Sequence, residues 1–192
     1  MPVDYRPSRK KAEKPIVQTH VSLGNVAYSL HDERKTGLMV LNNLLGGMGM
    51  SSRLNLQIRE KYGIAYTIES NYTPYTDTGL FSIYYGTDDD KAHKALKLVN
   101  RELKKLRDAK LGVLQLYQAK QKFIGQIALG EENRMGVLIS MAKNLLDYGK
   151  INTLEEVVEK INRVTAEELL AIANEIFDET QLSELAFVPE QE

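Results

Sequence analysis

The sequence predicts an α+β domain: a mixed, mainly antiparallel β-sheet backed by helices on one face. Three observations carry this expectation. Two runs of period-two alternation, Ile64 to Tyr72 and Leu80 to Tyr85, flank a segment holding Pro74, Asp77 and Gly79, the composition of an antiparallel hairpin with a long loop. Beyond Thr87 the apolar residues Ala92, Ala95, Leu96, Val99, Leu103 and Leu106 keep helical spacing. Towards the C-terminus, Thr153 with Glu156 and Thr165 with Glu168 match the S/T-x-x-E capping box, in which two side chains satisfy each other's free amides, and each opens an amphipathic run.

The remaining elements follow from local chemistry. Residues 1–15 carry Pro2, Pro7 and Pro15 among Arg6, Arg9, Lys10, Lys11 and Lys14, and read as a flexible, solvated leader or linker ahead of a domain spanning 16–189. Ile16, Val17, Thr19, Val21 and Leu23 form a β-rich run closed by Gly24 and Asn25. From Glu33 to Leu45 the residues Leu38, Leu41 and Leu45 line one helical face, and Gly46, Gly47 and Gly49 stop it. Ser51 or Ser52 can cap a second helix with Leu54 and Ile58 on its apolar side, ending at Gly63. Asp88 and Asp89 complement the N-terminal dipole of the helix after the hairpin. A calcium loop would need alternating ligands, a glycine turn and a terminal Glu, which are absent. Two helices are expected between Val113 and Tyr148, broken near Gly130, and Leu182 to Val188 is the last strand candidate.

Composition sets the outer bounds on function. The chain has 192 residues, 43% of them hydrophobic, with 25 Lys plus Arg against 26 Asp plus Glu. A formal net charge of −1 excludes binding to nucleic acid through bulk charge. The complete lack of cysteine excludes disulfides, thiolate zinc sites, iron–sulfur clusters and a cysteine nucleophile. No stretch approaches the ~20 apolar residues of a membrane span, and residues 1–14 lack the apolar stretch of a signal peptide. The expectation is a soluble chain with no membrane partner, a cytoplasmic location being favoured.

Motifs that would carry chemistry are mostly absent. The three histidines, His20, His31 and His93, include no i, i+4 pair, and neither H-E-x-x-H nor H-x-x-E-H occurs, so no metal is expected in this chain. No G-x-S-x-G elbow surrounds Ser51 or Ser52. Gly46-Gly47-Met48-Gly49 follows a helix rather than a strand and lacks the Walker lysine, so it reads as a flexible joint between helices. The informative cluster is Ser51-Ser52-Arg53-Leu54 with Ile58-Arg59-Glu60-Lys61-Tyr62-Gly63-Ile64-Ala65-Tyr66. Arg59 in the last turns of the helix and Tyr66 on the emerging strand are both donors to carbonyl oxygen. They would suit an extended peptide that also pairs with a neighbouring strand edge. A cation favoured by a helix C-terminus and a strand tyrosine packed on the core explain the same two residues.

These motifs resemble the C-terminal, non-catalytic half of the M16 zinc peptidases, the pitrilysin, insulinase and mitochondrial-processing-peptidase group. The residues that carry the resemblance are Leu44-Leu45-Gly46-Gly47, Ser51-Ser52-Arg53-Leu54, Ile58-Arg59-Glu60, Gly63-Ile64-Ala65-Tyr66, Thr78-Gly79-Leu80-Phe81 and Tyr85-Gly86-Thr87. The similarity runs from about Ile16 to Val188 and is densest from Leu41 to Thr87. It implies the M16 peptidase (LuxS/MPP-like metallohydrolase) fold, in which two homologous halves, in one chain or two, enclose a peptide chamber.

The resemblance further implies a division of roles. The family's zinc motif, H-x-x-E-H with a downstream Glu, lies in the other half, so zinc and catalytic residues are expected in a partner and not here. Arg59 and Tyr66 match the pair that reaches substrate near the zinc, which implies carbonyl binding and transition-state support. The implied partners are a homologous catalytic half and a peptide substrate. The same fold also serves non-proteolytic structural or assembly subunits, the alternative implied role.

Overall fold

Period-two burial organises the sheet. In the computed structural model, which describes residues 5–190, strands β1 (Arg9–Lys14), β2 (Thr19–Ala27), β3 (Ala65–Pro74), β4 (Gly79–Thr87) and β5 (Ser183–Pro189) form one sheet. Its order is β1-β5-β2-β4-β3, with β1 and β5 parallel and every other pair antiparallel. This is the mixed, mainly antiparallel sheet expected. Val21 and Leu23 of β2, Phe81, Ile83 and Tyr85 of β4, and Ala186 and Val188 of β5 face the core, whereas Leu80, Leu185 and Phe187 are exposed on the opposite face.

Helices cover the apolar face. Helix α1 (Lys35–Leu45) packs on β3, α2 (Asp89–Asp108) on β4 and α6 (Ala166–Ile176) on β2. Leu38, Leu41 and Leu45 of α1 are fully buried, as their spacing predicts, and Phe81 meets Phe177 with ring centroids 4.8 Å apart. Each such side chain contributes about 1.5–3 kcal/mol on burial. Helices α3 (Val113–Gly130), α4 (Arg134–Tyr148) and α5 (Leu154–Arg163) form an outer group in which α3 touches α1 and α5. The Thr153–Glu156 box is present in both directions, whereas Thr165 accepts from the Glu168 amide without a return bond.

The structure corrects the leader. Residues 1–4 lie outside the described residues, but Arg9–Lys14 is a strand whose register pairs Arg9 with Glu184 and Ala12 with Phe187. The Tyr5 hydroxyl anchors the segment before it by donating to the Gln181 carbonyl at 2.7 Å. Without β1, β5 would be the sheet edge. A short, lysine-rich edge strand protects a sheet from further pairing, and that same composition makes it read as a solvated arm. Strand β2 is shifted too, running through Gly24 and Asn25 because the Asn25 side chain finds a partner in the Ile176 carbonyl at 2.9 Å.

Candidate peptide-binding groove

The link between α1 and β3 carries the densest motif. The Gly46 carbonyl accepts from the Ser70 amide at 2.9 Å, and Ser70 Oγ donates to the Asn42 carbonyl at 3.2 Å. A Cβ on residue 46 would stand 2.6 Å from the Ser70 nitrogen, so only glycine lets this loop lie against β3. The loop is also tied to α3: Gln126 Nε2 donates to the Met48 carbonyl at 2.7 Å, and Gln126 Oε1 accepts from Asn43. The glycine segment is thus a docked loop, in contrast with the flexible joint expected from its composition.

The second helix departs from expectation in kind. From Asn55 to Glu60 it is a π-helix, with the Lys61 amide donating to the Leu56 carbonyl five residues back. Such wide turns are rare and occur frequently at functional sites. Ser52 is buried and accepts from Asn55 Nδ2 at 2.9 Å, so it links two side chains rather than capping the helix. Leu54 and Ile58 are fully buried and fix which side of the helix faces out. Arg53 Nε lies 3.7 Å from Glu102 Oε2, and Lys105 Nζ donates to Glu102 Oε1 at 2.6 Å. The carboxylate is 1% exposed, so α2 holds the start of the π-helix through a buried charge. Glu102 is a residue the motif search missed. Its signal is a carboxylate on the stripe of Ala95, Leu98, Val99 and Leu106.

Arg59 and Tyr66 take different positions. The Arg59 side chain is 42% exposed, with its Nε 3.8 Å from Glu60 Oε1, and it lines a groove of about 640 Å³. Tyr66 is 52% exposed, so it does not pack in the core, and it is not among the residues lining that groove. Its hydroxyl donates to Asp88 Oδ1 at 2.7 Å. That bond, above all, holds the phenol pKa above its ordinary value. Lys91 Nζ donates to the other Asp88 oxygen at 2.6 Å and is the main cause, with Tyr66 second, of a depressed Asp88 pKa.

The groove runs between the glycine loop, α1, the π-helix and β3, with Met39, Met48, Met50, Tyr72 and Phe123 among its apolar walls. Asn42 and Asn43 also line it, and their Oδ1 atoms are buried without a hydrogen-bond partner among the described residues. Strand β3 is the sheet edge here, but its centre is occupied: Ser70 N is bonded to Gly46, and the Ile68 carbonyl accepts from Asn55 at 3.2 Å. The expected open strand edge is therefore closed at Ile68 to Ser70. A polypeptide in the groove would meet side chains there.

The described residues include no group of three or more His, Asp or Glu arranged to hold a metal ion. The donor set does not fit zinc. Among the described residues, no helix is long and apolar enough to cross a membrane.

Comparison with known proteins gives this arrangement its class. Residues 2–123 match the family described as the peptidase M16 inactive domain, and the chain belongs to that family. The uncharacterized zinc protease YmxG of Bacillus subtilis is 31% identical over 176 residues, which cover 92% of this chain and 43% of the relative. A protease from Helicobacter pylori superposes with a TM-score of 0.84 at 22% identity, over 94% of this chain and 44% of that one. The peptidase M16 inactive domain from Pseudomonas fluorescens gives 0.81 at 24% identity, over 97% and 44%. The chain therefore spans less than half the length of these relatives.

Proposed function

We propose that this chain is the substrate-holding, non-catalytic half of an M16-type zinc metallopeptidase, and that peptide bonds are hydrolysed when it is paired with a half bearing H-x-x-E-H. The observation that carries this reading is the groove wall. Arg59 offers guanidinium donors along a wall whose apolar part comes from Met39, Met48, Met50, Tyr72 and Phe123. A polypeptide presents the complements: backbone carbonyls for the guanidinium and apolar side chains for the wall. Membership of the inactive-domain family and relatives of more than twice the length support a catalytic half in the same polypeptide.

In this reading the other half contributes zinc, which activates water there. The residues of this chain bind and orient. Arg59 holds a substrate carbonyl and favours the form in which negative charge develops on its oxygen. Tyr66, beside the groove and not in its lining, adds a second donor once its hydroxyl turns from Asp88 to the substrate. The test is reconstitution. The chain with zinc and an unfolded peptide gives no cleavage, and adding the H-x-x-E-H half restores it. Cleavage by the chain alone contradicts the proposal, and an inert assembled pair favours a structural or assembly subunit.

A further inference from the structure

A second cavity, of about 380 Å³, lies between α1, α3, α4 and α5 and adjoins the groove at Met39 and Phe123. It is within the ~300–1,000 Å³ range of small-molecule sites. Its apolar lining comes from Met39, Phe123, Ile127, Val157 and the fully buried Ile161. Its charged lining is predominantly cationic: Lys35, Lys143, Lys150 and Lys160 stand against the single carboxylate of Asp147, in a chain whose net charge is −1.

These ammonium groups are not spent on ion pairs. Among the described residues, none of the four lysines forms a salt bridge. Lys35 is held in place, donating to the Leu30 carbonyl at 2.8 Å and to the Tyr148 hydroxyl, while Lys160 reaches only Asn152 Oδ1 at 3.3 Å. An apolar recess ringed by uncompensated cations is complementary to a molecule with a hydrocarbon tail and an anionic head.

We propose that this cavity binds a single-chain amphiphilic anion of the fatty-acid type. Its tail lies on Phe123, Ile127, Val157 and Ile161, and its carboxylate is met by Lys35, Lys143, Lys150 and Lys160. The inference is independent of the peptide groove and of any catalytic half.

Calorimetric titration of the chain with octanoate, decanoate and dodecanoate below their micelle concentrations tests it. One site is expected, tightening about three- to fourfold per added methylene. Decylamine should bind at least about tenfold more weakly than decanoate, because its head repeats the charge of the rim. Lys143→Glu with Lys160→Glu, both on exposed residues, should weaken decanoate binding about tenfold, and Ile127→Trp should abolish it by filling the recess, with thermal melts confirming that each variant folds. Several equivalents bound, equal affinity for decylamine, no effect of Ile127→Trp, or binding only to anionic phosphatidylglycerol vesicles and not to monomeric decanoate would each overturn it.

Discussion

The Tyr66 hydroxyl donates to the Asp88 carboxylate across the junction of β3 and α2, at 2.7 Å, while Lys91 holds the other oxygen of the same group. A phenol engaged in this way already has its one hydrogen-bond donor committed and cannot offer it to a substrate carbonyl. Removing the acceptor should free it. In an assembled two-half protein, Asp88→Ala is expected to lower KM for peptide about two- to fivefold, the scale of one exposed hydrogen bond or ion pair. Tyr66→Phe in the same background should abolish that gain, and steady-state kinetics on both variants checks the assignment.

Glu102 anchors the π-helix through Arg53 and is buried in α2. Glu102→Ala leaves Arg53 and Lys105 without their carboxylate and opens space in the core. We expect a loss of about 1–3 kcal/mol in urea unfolding, less than for a fully enclosed pair because the cations reach solvent. Arg53→Ala should cost less than Glu102→Ala, since it leaves Lys105 on the carboxylate.

Strand β1 closes the edge of β5 beside exposed Leu185 and Phe187. Deleting the residues before Ile16 should lower Tm by at least about 4 °C, equivalent to ~1–2 kcal/mol in a chain of this size. It should also promote association through the bared edge. Calorimetry and light scattering on the truncated chain measure both. An unchanged melt would mean that the strand contributes no stability.

Buried phenols set the alkaline limit. Burial, joined at Tyr28 by its bond to Glu175, pushes Tyr28, Tyr72 and Tyr85 above the ordinary tyrosine value. A raised folded pKa gives stability that is complete below the unfolded value of about 10 and lost as pH climbs beyond it. Asp32, bonded to Arg34, and Asp178, bonded to the Thr180 amide, are shifted the other way. Their contribution is complete above about pH 4 and lost as pH falls towards their depressed values. Unfolding free energy should therefore fall at both extremes, and Tyr85→Phe should flatten the alkaline limb, as read by denaturant titration at successive pH values.

What was legible in the sequence is what local chemistry decides. The break at Gly130 separates α3 from α4, the Thr153–Glu156 box opens α5, and Ala95, Val99, Leu103 and Leu106 of the expected α2 stripe are buried while Ala92 and Leu96 are half-buried. Strand β1 was not legible because its partner Glu184 lies far along the chain from Arg9, and an alternation of charged residues has no apolar period to detect. The π-helix depends on how Leu54 and Ile58 pack, and the Tyr66–Asp88 contact on how β3 enters the sheet, so neither has a local signature. For the candidate site, Arg59 stands in a local motif, whereas the groove that it lines takes shape only once α1 and the glycine loop are docked on β3.

We propose that the hold on substrate resides in this half. Its most direct measurement is kcat/KM for peptide cleavage by the assembled protein carrying Arg59→Ala, with zinc content determined on the same sample. A fall of about 10- to 1000-fold at unchanged zinc content is expected, by analogy with the loss of one oxyanion donor. An unaltered kcat/KM would contradict the account.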